Sequence, residues 1–459
     1  MKKKSFNFLL VLLFLSPSGF INAQIPYNYA LGGIGINSSN VLIATYTNTS
    51  VISYYNNNSS INCFYKVDIS GSVQEYDLPR SPSYQVLDMT VVSDFLFFCG
   101  IETTATSTQG FIGRLDLNTG SMVIDAAGSN ISSSITKLVA YKTQTGLIKV
   151  VALGNDVCVG GNPAIIQTNC PSELYRFSLY TYNFSQFILE CTMTDPMNPM
   201  GTCQTLTVRD DIHDEWLEDI VLTDSYVVFL GNTKQSLSVH KCSRNNVLAD
   251  FNDLWYYPDT KYYWFSPIGC DMDNDRVAMA AMGDDIGFGY STLMQVIDLA
   301  TMNVTNSQTI VYPTAFKTYP EDLIYLKNSQ ILVLLQPNYY YSGIPDPIFH
   351  NFLPSASANY NANCFYENNS GVLWFQKMDR LPDGKNYVST GGDYWMLKNS
   401  SINASPNSCF APINIPIDIR PVPTKNHINH PFVSCSISLN YSIDNTTNIQ
   451  PLFSPYCID

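Results

Sequence analysis

The chain has 459 residues, a formal charge of −14, and only 14% charged against 45% hydrophobic residues. An acidic chain of this kind repels phosphate backbones and anionic lipid, which sets aside nucleic acid and anionic membranes as partners. So few charges among so many Tyr, Asn, Ser and Thr residues also set aside a disordered acidic tail and leave a folded domain.

The N-terminus, MKKKSFNFLLVLLFLSPSGFINAQ, puts three lysines before an apolar run from Phe6 to Leu15 and a small residue, Ala23, before Gln24. This is the pattern of a secretory leader over residues 1–23. The run is shorter than the roughly 20 residues a membrane span needs, and no later segment is long and apolar enough. The expectation is an exported chain without a transmembrane segment, placed outside the cell, at its surface or in a periplasm. Loss of the three leader lysines takes its charge from −14 to −17.

A paired pattern then runs along the chain. Gly35 to Tyr46 (GINSSNVLIATY) opens it, and Asp88 to Gly100 (DMTVVSDFLFFCG) states it clearly: Asp, an apolar arm, a polar turn, a second apolar arm, then Gly. Lys137 to Gly154 has the same arms around a longer turn. Asp219 to Gly231 (DIVLTDSYVVFLG) and Asp271 to Gly283 (DMDNDRVAMAAMG) repeat the clear form at equal length. Asp322 to Gln336 and Asn386 to Leu397 complete a set of seven. Several copies lie about 50 residues apart, the length of one four-stranded propeller blade. A second element, Tyr65 to Val73, Gly113 to Met122 and Gln295 to Val304, follows several hairpins and reads as the outer hairpin of a blade. Helical periodicity is scarce, and apolar arms without alternation fit strands buried on both faces. The fold predicted is all-β: a single β-propeller over 24–400, of seven blades of four antiparallel strands with disulfide-stapled loops. Residues 401–459 are read as ring-closing strands plus a Cys-containing tail. A closed ring has few open edges, so a monomer is expected.

The arms FFCG, the following GFIGRLDL and TDSYVVFLG resemble a group of exported bacterial β-propeller repeat proteins of unassigned function, typical of host-associated Gram-negative bacteria. The resemblance covers about Gly35 to Leu397 and implies a fold but no activity, since propellers host many unrelated functions. A eukaryotic origin is the rival, in which sequons such as Asn48, Asn130, Asn183, Asn303, Asn399 and Asn445 would accept glycans.

Twelve cysteines in an exported chain favour disulfides over free thiols, and no Cys-x2-Cys zinc spacing occurs. The local pairs Cys158 with Cys170 and Cys191 with Cys203 are the ones legible from spacing. Asp271, Asp273 and Asp275 alternate like the start of a calcium loop, but the Gly and Glu that such a loop requires are Arg276 and Met282. They read better as a repeat residue and its turn, so no metal site is assigned. The run RDDIHDEWLED offers Asp210, Asp211, His213, Asp214 and Glu215 for acid–base work on a glycan, or a solvated acidic loop. Trp255, Tyr256 and Tyr257, and Tyr339, Tyr340 and Tyr341 in a later insertion, offer flat faces for a sugar or a protein partner, or strand packing. His427 and His430 form a lone pair without a third ligand. Gly-x-Ser-x-Gly elbows, sialidase boxes and phosphate-cradling loops are missing, and no cofactor is expected. The functional expectation is a non-enzymatic binding, adhesion or scaffold module for an extracellular glycan or protein. The alternative is a glycan hydrolase or lyase using carboxylates of an inserted loop or of the central channel.

Overall fold

The computed structural model describes residues 29–30, 40–56, 62–68, 72–80, 82–106, 108–126, 134–156, 174–182, 187–194, 216–232, 237–245, 252–257, 262–285, 289–311, 318–327, 330–337, 348–352, 364–367, 375–391, 395–399, 410–413, 418–421 and 425–428. Its strands form a β-propeller-like arrangement of seven antiparallel sheets, each built on four strands. We number the sheets by their inner strands: Asn40–Thr47, Ser83–Val92, Ser134–Lys142, Trp216–Leu222, Tyr262–Met272, Thr318–Leu326 and Phe375–Arg380. Each inner strand contacts the next, and Phe375–Arg380 contacts Asn40–Thr47.

Within a sheet the order follows the chain, from inner to outer strand. The second sheet runs Ser83–Val92, Phe95–Thr103, Thr108–Asp116, Met122–Ala126. Its outer hairpin carries the Gly113 to Met122 element read from the sequence. In the seventh sheet the outermost strand comes from the other end of the chain: Tyr29–Ala30 pairs with Trp395–Asn399. Three short C-terminal strands extend three outer edges in reverse order. Phe410–Ile413 adds to the sixth sheet, Asp418–Pro421 to the fifth and Lys425–Ile428 to the fourth.

The core lies between sheets because strands packed on both sides bury both faces. Every residue of Ser50–Asn56 is buried, and so are Val277 to Ala281. Tyr54, Phe64, Phe98, Phe111 and Tyr84 fill the space between the first and second sheets. Their rings meet tilted or edge-on, as aromatic quadrupoles prefer. Equivalent layers separate the second from the third sheet, third from fourth, fourth from fifth, fifth from sixth, and seventh from first.

A bulge recurs in the inner strands, and it explains the repeated Gly. The register slips between Val86 and Asp88, Ile135 and Lys137, Leu217 and Asp219, and Phe375 and Lys377. The residue facing each slip is Gly100, Gly154, Gly231 or Gly391. At Gly100 a Cβ would stand 1.9 Å from the Gln85 carbonyl oxygen. The glycine therefore accommodates the bulged backbone opposite it and does not end the strand, which continues to Thr103.

Among the described residues no disulfide is seen. Cys63, Cys99, Cys242 and Cys270 are buried thiols. Cys99, Cys242 and Cys270 sit in hydrophobic clusters and act there as small apolar side chains, while Cys63 lies beside Glu75 and Asp77. Cys158, Cys170 and Cys203, and the side chain of Cys191, lie outside the described residues, as do residues 1–23.

Candidate functional sites: an axial charge cluster and a cationic cleft

In six of the seven inner strands the residue just past the register slip holds one equivalent position. Around the ring these residues are Asp88, Lys137, Asp219, Ile268, Asp322 and Lys377, from the second to the seventh sheet. The charges act across the ring as well as between neighbours. Lys137 of the third sheet acts on Asp322 of the sixth, and Lys377 of the seventh acts on Asp88 of the second. The five charged side chains therefore gather about the axis, while Ile268 packs between the fifth and sixth sheets. Lys137 Nζ stands 3.3 Å from Asp219 Oδ1, and this carboxylate above all holds its ammonium far above the usual lysine range.

Each aspartate also ties its sheet to the next. Asp88 Oδ2 accepts the Leu138 N–H at 2.9 Å, Asp219 Oδ2 the Gly269 N–H at 2.9 Å, and Asp322 Oδ2 the Met378 N–H at 2.6 Å. Asp379 Oδ2 takes the Thr45 N–H at 2.6 Å and so joins the seventh sheet to the first. Burial lifts the carboxyls of Asp88, Glu321 and Asp322, and lifts Asp379 to about 6. The opposing pull of Lys377 and Lys137 on Asp322 is the second influence there.

The calcium-like triplet is a hairpin turn whose carboxylates diverge. Asn274 and Asp275 have φ of 64° and 52°, a conformation that Asn and Asp tolerate well. Asp271 pairs with Arg380 Nη2 at 2.9 Å, and Asp273 Oδ2 accepts the Tyr325 hydroxyl at 3.0 Å. Asp275 accepts from Thr223 Oγ1, Ser225 N and Ser225 Oγ at 3.0, 2.9 and 2.7 Å. The alignment of Asp271 with Asp88 and Asp219 is thus corrected. Asp271 pairs with Val277 beside the turn, and the position matching Asp88 is Ile268. Among the described residues, the side chains close enough to share an ion are Cys63, Glu75 and Asp77. Burial pushes the Cys63 thiol to about 12, which opposes the thiolate that a metal would require.

Of the other residues singled out, Asp210, Asp211, His213, Asp214 and Glu215 lie outside the described residues, as do Tyr339, Tyr340 and Tyr341. Trp255, Tyr256 and Tyr257 fall in the strand Asn252–Tyr257, which pairs with Leu237–Ser243 on one side and Lys425–Ile428 on the other.

A cleft of about 600 Å³ opens between the hairpin turns of the third and fourth sheets. Its charged lining is Lys142, Lys241, Arg244 and one acid, Asp224. Arg244 Nη1 donates to the Thr223 and Asp224 carbonyls, each at 3.0 Å, and its guanidinium lies 4.6 Å from the Tyr141 ring centre. Lys241 Nζ lies 4.6 Å from the Tyr226 ring centre and donates to the Leu299 carbonyl. Asp275 holds the Thr223–Ser225 wall in place from the fifth sheet. Nothing in the sequence pointed here, because Tyr141 and Arg244 are joined only by a contact across 103 residues.

No protein-family model matches the chain. No curated protein matches it either. Among solved structures, a protein of unknown function from Dyadobacter fermentans is similar at 8% identity and a TM-score of 0.41, covering 84% of this chain and 95% of that one. Sqt1 from Chaetomium thermophilum is similar at 8% identity and a TM-score of 0.41, covering 82% of this chain and 100% of that one. The same Sqt1 bound to the N-terminus of ribosomal protein L10 is similar at 8% identity and a TM-score of 0.40, with 82% and 98% covered.

Proposed function

We propose that the chain is an exported, non-enzymatic binding module. In this reading its seven sheets are the blades of one ring, and clefts between hairpin turns receive an extracellular glycan or protein. One observation carries the reading. The axial carboxylates Asp88, Asp219 and Asp322, and Asp379 beside them, are each engaged as acceptors for the backbone of the neighbouring sheet. Carboxylates held this way serve the scaffold, and acid–base chemistry needs one free to exchange a proton with substrate. The polar, cation-lined cleft lies instead on surface turns, where recognition residues concentrate.

A binding array of glycans and extracellular proteins tests this, run beside a hydrolysis assay on the same glycans. Saturable binding without turnover is expected, and turnover that Asp88→Asn and Asp322→Asn abolish would replace the reading. One observation favours that second reading, a glycan hydrolase: several axial carboxyls sit above their ordinary range, as a general acid requires.

A further inference from the structure

We infer that the cleft between the third and fourth sheets is a site for an anionic saccharide, with Arg244 as the anchor of the acidic group. The inference rests on the binding-module reading and deepens it by naming a ligand class and a place.

Three cations and one acid line this cleft, in a chain whose net charge is −14. Such a local reversal of sign draws an anion toward it. Arg244 is held for the task. Both Nη1 hydrogens go to the carbonyls of the 223–226 turn, and the Tyr141 ring backs the guanidinium plane. The Nε and Nη2 hydrogens stand outside those bonds, and an arginine edge of this kind meets a carboxylate or sulfate with paired hydrogen bonds. Lys142 is exposed beside it and adds charge. Lys241, bonded to the Leu299 carbonyl, serves as a cationic wall.

The rest of the lining selects a sugar. Thr143, Gln144, Ser225, Ser243 and Asn245 present hydroxyls and amides to match sugar hydroxyls. A volume of about 600 Å³ suits a ligand of one or two sugar rings, within the usual range for small-molecule sites. An extended acidic peptide would need a groove along several turns.

The test is calorimetric titration of the purified protein with three probes: a uronate-containing disaccharide, its sulfated form and a neutral disaccharide. An acidic probe should bind at least about tenfold more tightly than the neutral one, and raised salt should weaken it. Tight binding of the unsulfated uronate assigns the site to a carboxylate, and binding of the sulfated form alone assigns it to a sulfate. Arg244→Gln should weaken the acidic probe about tenfold or more. Because Arg244 also braces a turn, the exposed Lys142→Gln is a second variant, expected to weaken binding about threefold. Asp224→Asn should strengthen binding about two- to threefold by removing the one acid of the lining, the carboxylates of Asp275 and Asp298 lying behind it, an effect that a purely structural role would not produce. Equal affinity for the neutral probe, no binding of either acidic probe, or variants at Arg244 and Lys142 that bind like the parent would each overturn the inference. A ligand from the wider array whose affinity ignores these variants would leave the binding-module reading standing and remove this site from it.

Discussion

Asp379 Oδ2 accepts the Thr45 backbone N–H at 2.6 Å, and Thr45 Oγ1 returns a hydrogen bond to the Arg380 carbonyl at 2.9 Å. The two residues are 334 positions apart, so this pair ties the last inner strand to the first beside the apolar layer between their sheets. Asp379→Ala would leave a part-buried N–H without its acceptor and should cost about 1–3 kcal/mol in denaturant unfolding. Thr45→Ala removes only the hydroxyl bond and should cost about 1 kcal/mol. Equal stability of Asp379→Ala and the parent would show that the junction does not depend on this tie.

Acidity should strengthen the ring. Asp379 titrates at about 6 when folded and near the ordinary aspartate value when unfolded. Between those values the folded chain holds a proton that the unfolded chain has released. The group therefore adds stability as pH falls through about 6 toward 4, and withdraws it as pH rises through about 6. Asp88, Glu321 and Asp322 are shifted in the same sense. Asp275 works the other way: burial opposes the shift, but hydrogen bonds from Ser225 and Thr223 hold it below the usual range, so its contribution fades under strong acid. The melting temperature and the unfolding free energy should be higher near pH 5 than near pH 7.5, and Asp379→Asn should shrink the free-energy difference by about 1–2 kcal/mol. A melting temperature that drops over this interval, or an unchanged difference in the variant, would count against the assignment.

Gly100→Ala should be among the most damaging single-methyl changes. The added Cβ would meet the Gln85 carbonyl oxygen at 1.9 Å, and that atom belongs to a bulged backbone with no rotamer to yield. A loss of about 2–4 kcal/mol is expected from chemical denaturation. A nearly neutral variant would mean that the bulge can be straightened at little cost.

The four buried cysteines make a prediction about thiol chemistry. Burial pushes the Cys99 and Cys270 thiols well above their ordinary range and Cys63 to about 12, so little thiolate exists at neutral pH. A maleimide or disulfide reagent should leave Cys63, Cys99, Cys242 and Cys270 unlabelled in the folded protein. Without any reductant, denaturant should expose all four to it, as mapped by peptide mass. Recovery of any of them in a disulfide-linked peptide would contradict their packing as thiols.

The hairpin repeat was legible in the sequence where a bulge leaves two marks, an aspartate past the slip and a glycine facing it. Both marks stand at Asp88 with Gly100 and at Asp219 with Gly231. The fifth sheet differs because its irregularity is larger, from Phe265 to Ile268, and the residue past it is Ile268. With the expected aspartate missing, the pattern settled on Asp271 three residues later. The seventh hairpin was misplaced by one strand: its inner arm is Phe375–Arg380, and Asn386 to Leu397 spans the second strand and part of the third. The axial lysines were invisible because Lys137 and Lys377 gain meaning only beside acids of other sheets. The cleft was hidden for the same reason, since Lys142 and Arg244 meet only when two hairpin turns are set side by side.

The three C-terminal strands set an order of events. Phe410–Ile413, Asp418–Pro421 and Lys425–Ile428 can find their places only after the sixth, fifth and fourth sheets present finished outer edges. A chain cut before residue 410 would leave those three outer edges unpaired, and open edges of that kind seed aggregation. Such a truncated chain should be less soluble than one that carries residues 410–428 and covers all three edges.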